Sequence, residues 1–221
     1  MAKKIAQLLH LLLTRIRIIF KIKPLSFQWG HDRGKPLYRY YTEIFLEKFS
    51  KDIKGKCLEF QEDCYASRFG KNKIEDINIL HKEPGNPKAT IVADLTKANT
   101  LKSDTFDCII STFVLHVVVN PDKFVSELYR ILKPKGSVLI VAPHICMWGE
   151  FPKEYWRFTQ EGLKLLIAKH FKKENIIIKS YGNSLIAAGA LRGLVTKEFR
   201  KSELNYHDKK FSLITCARAV K

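Results

Sequence analysis

The chain has 221 residues, of which 46% are hydrophobic, and a formal net charge of +17. This length suits one well-packed domain and is short for two. Its five cysteines include no C-x-x-C pair, which argues against both a disulfide framework and a zinc site. The positive charge favours an anionic partner, such as nucleic acid, anionic lipid or a phosphorylated molecule.

The first stretch of the chain is both basic and apolar. It contains no acidic residue before Asp32 and six basic ones, namely Lys3, Lys4, Arg15, Arg17, Lys21 and Lys23. In a helix the polar positions would share one stripe, formed by Lys3, Gln7, His10, Thr14, Arg17 and Lys21. We therefore predict a basic amphipathic helix over residues 1–25, which either anchors the protein on an anionic membrane surface or packs on its own domain. The apolar run is too short to span a bilayer, and no signal-peptide cleavage site follows it.

The rest of the chain alternates between helix and strand patterns. Apolar spacing predicts a helix at 37–49, and a short buried strand follows the turn at Gly55, over residues 56–60. Further strands are predicted at 74–80, 90–93, 108–111, 137–141, 175–179 and 212–219, and helices at 121–132 and 159–169. This alternation predicts one α/β domain over residues 26–221, with a mostly parallel sheet, helices on both faces and room for an antiparallel last strand.

Three motifs carry a resemblance to a known family. They are "DCIISTFVLHVVVNP" at 107–121, "ELYRILKPKGSVLIVAPH" at 127–144 and "YWRFTQEGLKLLIAKHF" at 155–171. The first two resemble the fourth-strand and fifth-strand region of class I S-adenosylmethionine-dependent methyltransferases of the type 11 kind. The third is similar to a subgroup associated with surface-glycan biosynthesis. The resemblance implies a Rossmann-like, seven-stranded sheet with S-adenosylmethionine across the carboxyl ends of its first strands.

The resemblance also implies which residues would hold the cofactor. Glu59 matches the acid that ends the first strand, but Gln61, Glu62 and Asp63 stand where the family has G-x-G. The other matching positions are Asn78 for the ribose hydroxyls (with Asp76 as the alternative register), Asp94 and Leu95 for adenine, and Ser111 and Thr112 at the fourth strand. Asp94 has a second interpretation as a turn or cap residue.

Two histidines and an aromatic segment are candidates for the acceptor side of the site. His116 and His144 follow the fourth and fifth strands, and each is either a general base or a packed histidine. The acceptor-binding candidates are Trp148, Tyr155, Trp156 and Arg157, since aromatic faces stack on sugar rings and arginine binds phosphate. The alternative for this segment is a structural cluster that covers the edge of the sheet.

These observations predict a cytoplasmic S-adenosylmethionine-dependent methyltransferase, with peripheral attachment to the inner membrane face as an option. Its acceptor would be a small molecule, a glycan or a lipid-linked sugar. The glycine-free turn and Asn78 keep open the alternative of a catalytically inactive scaffold in a glycan-assembly system. Nucleic-acid methylation is disfavoured because the N-P-P-Y and P-C motifs are absent, and a dehydrogenase because no G-x-G-x-x-G follows a strand.

Overall fold

In the computed structural model, the structure describes residues 21–97, 101–150 and 152–221, together with positions 5, 6, 9, 12, 13 and 16. The chain forms two compact units. The large unit comprises Thr42–His144, Trp148–Lys179 and Thr215–Lys221, and the small unit comprises Met1–Tyr41, Ile145–Met147 and Ser180–Ile214.

A seven-stranded sheet contains every strand predicted from the sequence. The strands are β1 (Gly55–Phe60), β2 (Ile74–His81), β3 (Ile91–Val92), β4 (Phe106–Thr112), β5 (Leu132–Pro143), β6 (Ile176–Tyr181) and β7 (Ile214–Val220). Their spatial order is β3-β2-β1-β4-β5-β7-β6, and the pairs from β3 to β5 are parallel. The predicted Rossmann-like fold, mostly parallel with an antiparallel last strand, is therefore confirmed.

From residue 21 on, the described chain forms five α-helices, namely α1 (Leu37–Lys48), α2 (Pro121–Ile131), α3 (Gln160–Ile167), α4 (Ser184–Leu191) and α5 (Lys201–Asn205). The sequence marks the start of α2, because the Asn120 side chain accepts a hydrogen bond from the Lys123 N–H and Pro121 occupies the first turn. The Thr159 hydroxyl caps α3 by accepting from the Gly162 N–H. No α-helix joins β1 to β2; the connection contains a short π-helix at Ala66–Gly70 and a 3-10 helix at Lys71–Lys73.

The core of the large unit lies between the sheet and its helices. Fully buried Leu58, Ile109 and Val138 from adjacent parallel strands pack with apolar residues of α2 and α3. The helical contribution comes from Val125, Leu128, Ile131, Leu163 and Ile167, which are also fully buried. This burial holds the strands in register and so fixes the positions of the loops at their carboxyl ends.

The small unit is organised around buried polar contacts. The Ser26 hydroxyl accepts from the Gln28 and Gly30 N–H groups, and Arg33 pairs with the buried Glu198 carboxylate. Gly193 has φ +75°, and a Cβ there would lie 2.6 Å from Ser26 N, so the close approach requires glycine. The Tyr41 hydroxyl donates to Leu204 O at 2.8 Å.

The described positions of the N-terminal segment support part of the predicted helix. Ile5, Ala6, Leu9, Leu12, Leu13 and Ile16 are helical and exposed. Lys3, Lys4, Gln7, His10, Thr14, Arg15 and Arg17 lie outside the described residues. The predicted end of the helix at residue 25 is wrong, because residues 21–25 are not helical and Pro24 disfavours a helical conformation before it. Within the described part of the chain, no helix is long and apolar enough to cross a membrane.

Candidate functional site

Glu59, near the carboxyl end of β1, is hydrogen-bonded to the loop that follows this strand. Its side chain is buried and accepts hydrogen bonds from the N–H groups of Tyr65, at 3.1 and 3.2 Å, and of Ala66, at 2.9 Å. Burial raises the pKa of Glu59 to about 7, the two backbone hydrogen bonds oppose this rise, and the charges of Asp63 and Glu62 add to it. Glu59 thus ties the end of β1 to the far side of the 61–65 turn.

Gln61 adopts the backbone conformation that the glycine-rich turn of the family would provide. Its φ is +69°, in the left-handed region that glycine favours. Its N–H donates to Leu80 O at 3.2 Å, and its carbonyl accepts from Asn86 Nδ2 at 2.7 Å. The hydrogen bonds of its N–H and of its carbonyl therefore hold Gln61, a non-glycine residue, in this conformation.

We predict that Gln61→Gly raises the free energy of unfolding by roughly 0.5–1 kcal/mol. A left-handed backbone costs a non-glycine residue about 1–2 kcal/mol, and glycine avoids this cost. Part of the gain is offset because glycine gives the unfolded chain more conformational entropy. Gln61→Val should lower the free energy of unfolding by about 2 kcal/mol, because a β-branched residue tolerates positive φ poorly. Denaturant titration of the three proteins measures both effects, and equal midpoints would contradict the assignment of strain to Gln61.

The structure corrects the predicted position of Asn78 at the end of the second strand. Asn78 lies opposite Leu58 inside β2, three residues before the strand ends at His81, and donates to Asp76 Oδ2 at 2.8 Å. His81 therefore occupies the strand end, and its Nδ1 lies 2.6 Å from Glu83 O. The sequence prediction ended this strand at Leu80 and did not consider His81, and a cofactor contact of Asn78 stays a prediction.

Asp94 lies just beyond β3 and organises its own turn. Its Oδ1 accepts from the Thr96 N–H at 2.9 Å and the Thr96 hydroxyl at 2.6 Å, while Lys82 Nζ lies 3.7 Å from Oδ2. Partial burial would raise the pKa of Asp94, but the Thr96 hydrogen bonds and the Lys82 charge lower it overall. Leu95 is buried in the core, and its predicted contact with the cofactor stays a prediction. Asp94 thus forms a turn, which was one of its two predicted roles. A contact between Asp94 and adenine stays a prediction.

Ser111 and Thr112 end β4, between the carboxyl ends of β1 and β5. Ser111 is fully buried, and among the described residues its hydroxyl has no hydrogen-bond partner. A buried hydroxyl without a partner costs about 1–3 kcal/mol. A ligand with polar atoms at this edge of the sheet would remove that cost, so the residues present fit the nucleotide-type cofactor that the fold implies.

His116 lies in the loop after β4 and is nearly buried beside Glu154. Nε2 of His116 is 3.4 Å from Glu154 Oε1, and Arg157 pairs with the other carboxylate oxygen. Nδ1 of His116 has no hydrogen-bond partner within the described chain. Burial lowers the pKa of His116, Glu154 opposes this by raising it, and Arg157 lowers it further. Arg157, predicted to bind phosphate, is engaged with Glu154 here, and a phosphate contact stays a prediction.

His144 directly follows β5 and is held by the backbone. Its Nδ1 lies 3.1 Å from Phe158 O, and a carbonyl can only accept, so Nδ1 carries the hydrogen. Nε2 is then the basic nitrogen. His116 and His144 thus both lie just past the carboxyl ends of neighbouring strands, as predicted, while a catalytic role for either stays a prediction.

The aromatic segment presents exposed rings in the large unit. Trp148, Tyr155 and Trp156 are 63%, 49% and 42% exposed. The N–H groups of Tyr155 and Trp156 donate to His116 O at 2.8 and 3.1 Å, and Trp156 Nε1 donates to Val118 O at 2.8 Å. Tyr155 and Trp156 are therefore fixed against the loop that carries His116.

Comparison with known proteins identifies the class of domain. A family model described as "Methyltransferase domain" matches residues 55–140. This span runs from β1 into β5 and includes Glu59, Asp94, Ser111 and His116. Residues 55–140 therefore form a methyltransferase domain, within a chain that has the class I methyltransferase fold, and the predicted domain bounds 26–221 stay a prediction.

Individual relatives match parts of the chain. The protein named "Probable polyketide synthase 10" of Dictyostelium discoideum is 33% identical over 141 residues, which are 56% of this chain and 5% of that protein. The ubiquinone/menaquinone biosynthesis C-methyltransferase UbiE of Hydrogenovibrio crunogenus is 34% identical over 100 residues, 45% of this chain and 36% of that protein. The chain thus spans well under half the length of either relative.

Solved structures support the fold. The crystal structure of a SAM-dependent methyltransferase from Archaeoglobus fulgidus superposes with a TM-score of 0.56 and 10% identity, and the match covers 83% of this chain and 94% of that one. At this identity the likeness establishes the fold alone.

Proposed function

We propose that the protein is an S-adenosylmethionine-dependent methyltransferase whose acceptor is a glycan or lipid-linked sugar at an anionic membrane surface. The methyltransferase-domain match and the named methyltransferase relatives support the enzyme class and the cofactor. The observation that supports the site best is a pair of buried polar atoms, Ser111 Oγ on β4 and His116 Nδ1 in the loop after it, that have no hydrogen-bond partner among the described residues. Ser111 lies near the carboxyl end of β4 and His116 in the loop after it, and open α/β sheets generally bind ligands beside the carboxyl ends of their strands, which supports the proposal.

Several residues of the large unit would hold the cofactor. When bound, S-adenosylmethionine supplies an electrophilic methyl group, and its sulfur keeps the electron pair of the broken bond. The loop tied by Glu59 would take the methionine part, Asp94 and His81 the nucleoside part, and Ser111 would donate to or accept from a polar atom. The protein mainly positions the reactants, since an in-line displacement needs little else beyond removal of the acceptor proton.

The exposed rings support a glycan acceptor. Aromatic faces bind sugar rings by stacking, and Trp148, Tyr155 and Trp156 expose such faces within nine residues of sequence. The resemblance of residues 155–171 to the glycan-associated subgroup points to the same class of acceptor. A molecule of ubiquinone or menaquinone biosynthesis, the process printed in the UbiE name, is the competing candidate because aromatic rings also stack on quinones.

We predict that the protein transfers a labelled methyl group from S-adenosylmethionine to lipid-linked sugars in a bacterial membrane extract. Trp156→Ala should raise the KM for that acceptor about tenfold, a loss of about 1.4 kcal/mol consistent with one stacked ring. The matched control is Phe211→Ala, which removes an exposed ring of the small unit and should leave KM unchanged. Labelling of quinones with no labelling of sugars would replace the glycan proposal by a quinone one.

The N-terminal segment supports attachment to the membrane. Its described helical positions, Ile5, Ala6, Leu9, Leu12, Leu13 and Ile16, are apolar, exposed and spaced to share one face of a helix. The same segment of sequence carries six basic residues and no acid. Apolar side chains can enter the headgroup boundary while each nearby Lys or Arg contributes about 1 kcal/mol at an anionic surface.

We predict that the protein floats with vesicles containing anionic lipid and floats poorly with purely zwitterionic vesicles. A Leu9→Glu, Leu13→Glu double variant should lose flotation, because each charge would have to enter the apolar boundary. The control is Leu165→Glu, which places the same charge at an exposed leucine of α3. Equal flotation of the double variant and the wild type would refute attachment through this face.

A further inference from the structure

We propose that helix α4 of the small unit makes a second membrane contact, in which its exposed apolar face enters the headgroup boundary of an anionic lipid surface. This α4 face consists of Leu185, Ala188 and Leu191, and Ile22 of the adjoining segment extends it. The inference deepens the proposed membrane attachment and rests on it. Its test follows α4 itself, so it can fail while attachment through the N-terminal segment stands.

Helix α4 is apolar on both of its sides. Of its eight residues only Ser184 is polar, and none is charged. The inner side is buried at Ile186 and Ala190, and a Cβ on Gly189 would lie 2.5 Å from Phe199 Cζ. The packing of the small unit therefore uses one apolar side of the helix and leaves the other for a different contact.

The outer side of α4 presents contiguous apolar surface. Leu185 and Leu191 are 39% and 41% exposed, and Ala188 between them is exposed as well. Steps of three residues place these side chains on one side of the helix. A helix that is hydrophobic all round normally lies in a protein core or in lipid, and a contiguous exposed apolar patch marks an interaction site. Lipid is a partner that would cover this side of α4.

The α4 face adjoins the segment that follows the N-terminal helical positions. Arg192, directly after α4, accepts from the Leu25 N–H at 2.8 Å, and its Nη1 donates to Ile22 O at 2.9 Å. The side chain of Ile22 is 97% exposed. Ile16 precedes Ile22 by six residues, which can span at most about 22 Å. Insertion of the N-terminal segment into a membrane surface therefore brings the α4 face close to the same surface.

The charge of these segments fits an anionic surface. Residues 21–31 and 184–197 contain no acidic residue and four basic ones, namely Lys21, Lys23, Arg192 and Lys197. The small unit as a whole has 15 basic and 4 acidic residues, so it carries +11 of the formal net charge of +17. Anionic lipid attracts such charge. Nucleic acid would attract it too, but leucines offer no stacking or hydrogen bonds to bases, so lipid is the partner that also uses the apolar face.

Methyl NMR of the full chain tests the contact directly. The probe is a bilayer disc of phosphatidylcholine and phosphatidylglycerol whose acyl chains carry a nitroxide near the headgroup. The methyl signals of Leu185 and Leu191 should broaden more than that of Leu165, an exposed leucine of α3 in the large unit. Broadening of Leu9 and Leu13 without broadening of Leu185 and Leu191 would overturn the proposal and leave the N-terminal attachment intact.

A neutral double substitution measures the apolar contribution. Leu185→Gln with Leu191→Gln changes no charge and alters exposed positions, so the fold should be kept, which denaturant titration checks. The double variant should weaken partitioning onto vesicles that contain phosphatidylglycerol about tenfold, because two leucines lose their burial in the headgroup boundary. The matched control, Leu165→Gln, should partition like the wild type. Equal partitioning of the double variant and the wild type would contradict insertion of the α4 face.

A second copy of this chain is the competing cover for the α4 face. Sedimentation equilibrium without lipid distinguishes the two. A membrane contact predicts that the wild type and the Leu185→Gln, Leu191→Gln variant have the same mass in solution. A wild-type dimer that the double variant converts to a monomer would assign the face to self-association and overturn the proposal.

Discussion

Replacing Glu59 by alanine is expected to destabilise the large unit by about 2–4 kcal/mol and to abolish measurable binding of S-adenosylmethionine. The change leaves the N–H groups of Tyr65 and Ala66 without their acceptor, and each unsatisfied buried donor costs about 1–3 kcal/mol. The loop after β1 would then lose the hydrogen bonds that hold it against the strand. The proposed cofactor site would lose the residues that this loop contributes.

Glu62→Ala is the control for this prediction. Glu62 lies three residues beyond Glu59 on the same loop, but it is exposed and its contact with Lys88 spans 3.9 Å. An exposed pair of this kind contributes little to stability. Denaturant titration and calorimetry with S-adenosylmethionine measure both consequences. Wild-type affinity in Glu59→Ala would show that the tied loop has no part in the cofactor site.

Stability should depend on pH through the same carboxyl group. The pKa of Glu59 is raised from 4.5 to about 7 in the folded protein, so the folded state holds this proton more tightly than the unfolded chain. The stabilisation is complete below pH 4.5 and is lost as the pH rises through about 7. Ionisation of Glu59 should therefore remove about 3 kcal/mol of stability across this window.

Comparison with Glu59→Gln isolates this effect. Glutamine has nearly the same shape but does not titrate, so the other ionisable groups cancel in the difference between the two proteins. The wild type should lose stability relative to Glu59→Gln as the pH rises from 4.5 to about 7. A constant difference over this range, measured by denaturant titration, would mean that Glu59 titrates normally.

The sheet could be predicted from the sequence because its signals are local. Short apolar runs separated by turn residues marked all seven strands, and Asn120 with Pro121 marked the start of α2. The boundary between α2 and β5 was predicted less well. The helix was predicted to include Leu132, but β5 begins at that residue, directly after the helix. The fold class followed from the order of these elements.

The site was harder to predict because its geometry depends on contacts distant in sequence. The turn after β1 lacks the glycines of the family pattern, but Leu80 and Asn86 hold Gln61 at positive φ. Asn78 matched a polar position of the motif, whereas β2 continues to His81, which pairs with Val92 of β3. Glu154 belongs to no recognised motif, and its contact with His116 is visible only in the folded chain.

Calorimetric titration of the wild-type protein with S-adenosylhomocysteine is the most direct test of a working cofactor site. The turn held by Glu59 and Gln61 lies near the Ser111 hydroxyl, which has no hydrogen-bond partner in the part of the chain that the structure describes. This arrangement predicts saturable binding at one site and a matching rise in thermal stability. Absence of both heat and stabilisation at millimolar ligand would contradict the account and would favour a scaffold that keeps the methyltransferase fold without its chemistry.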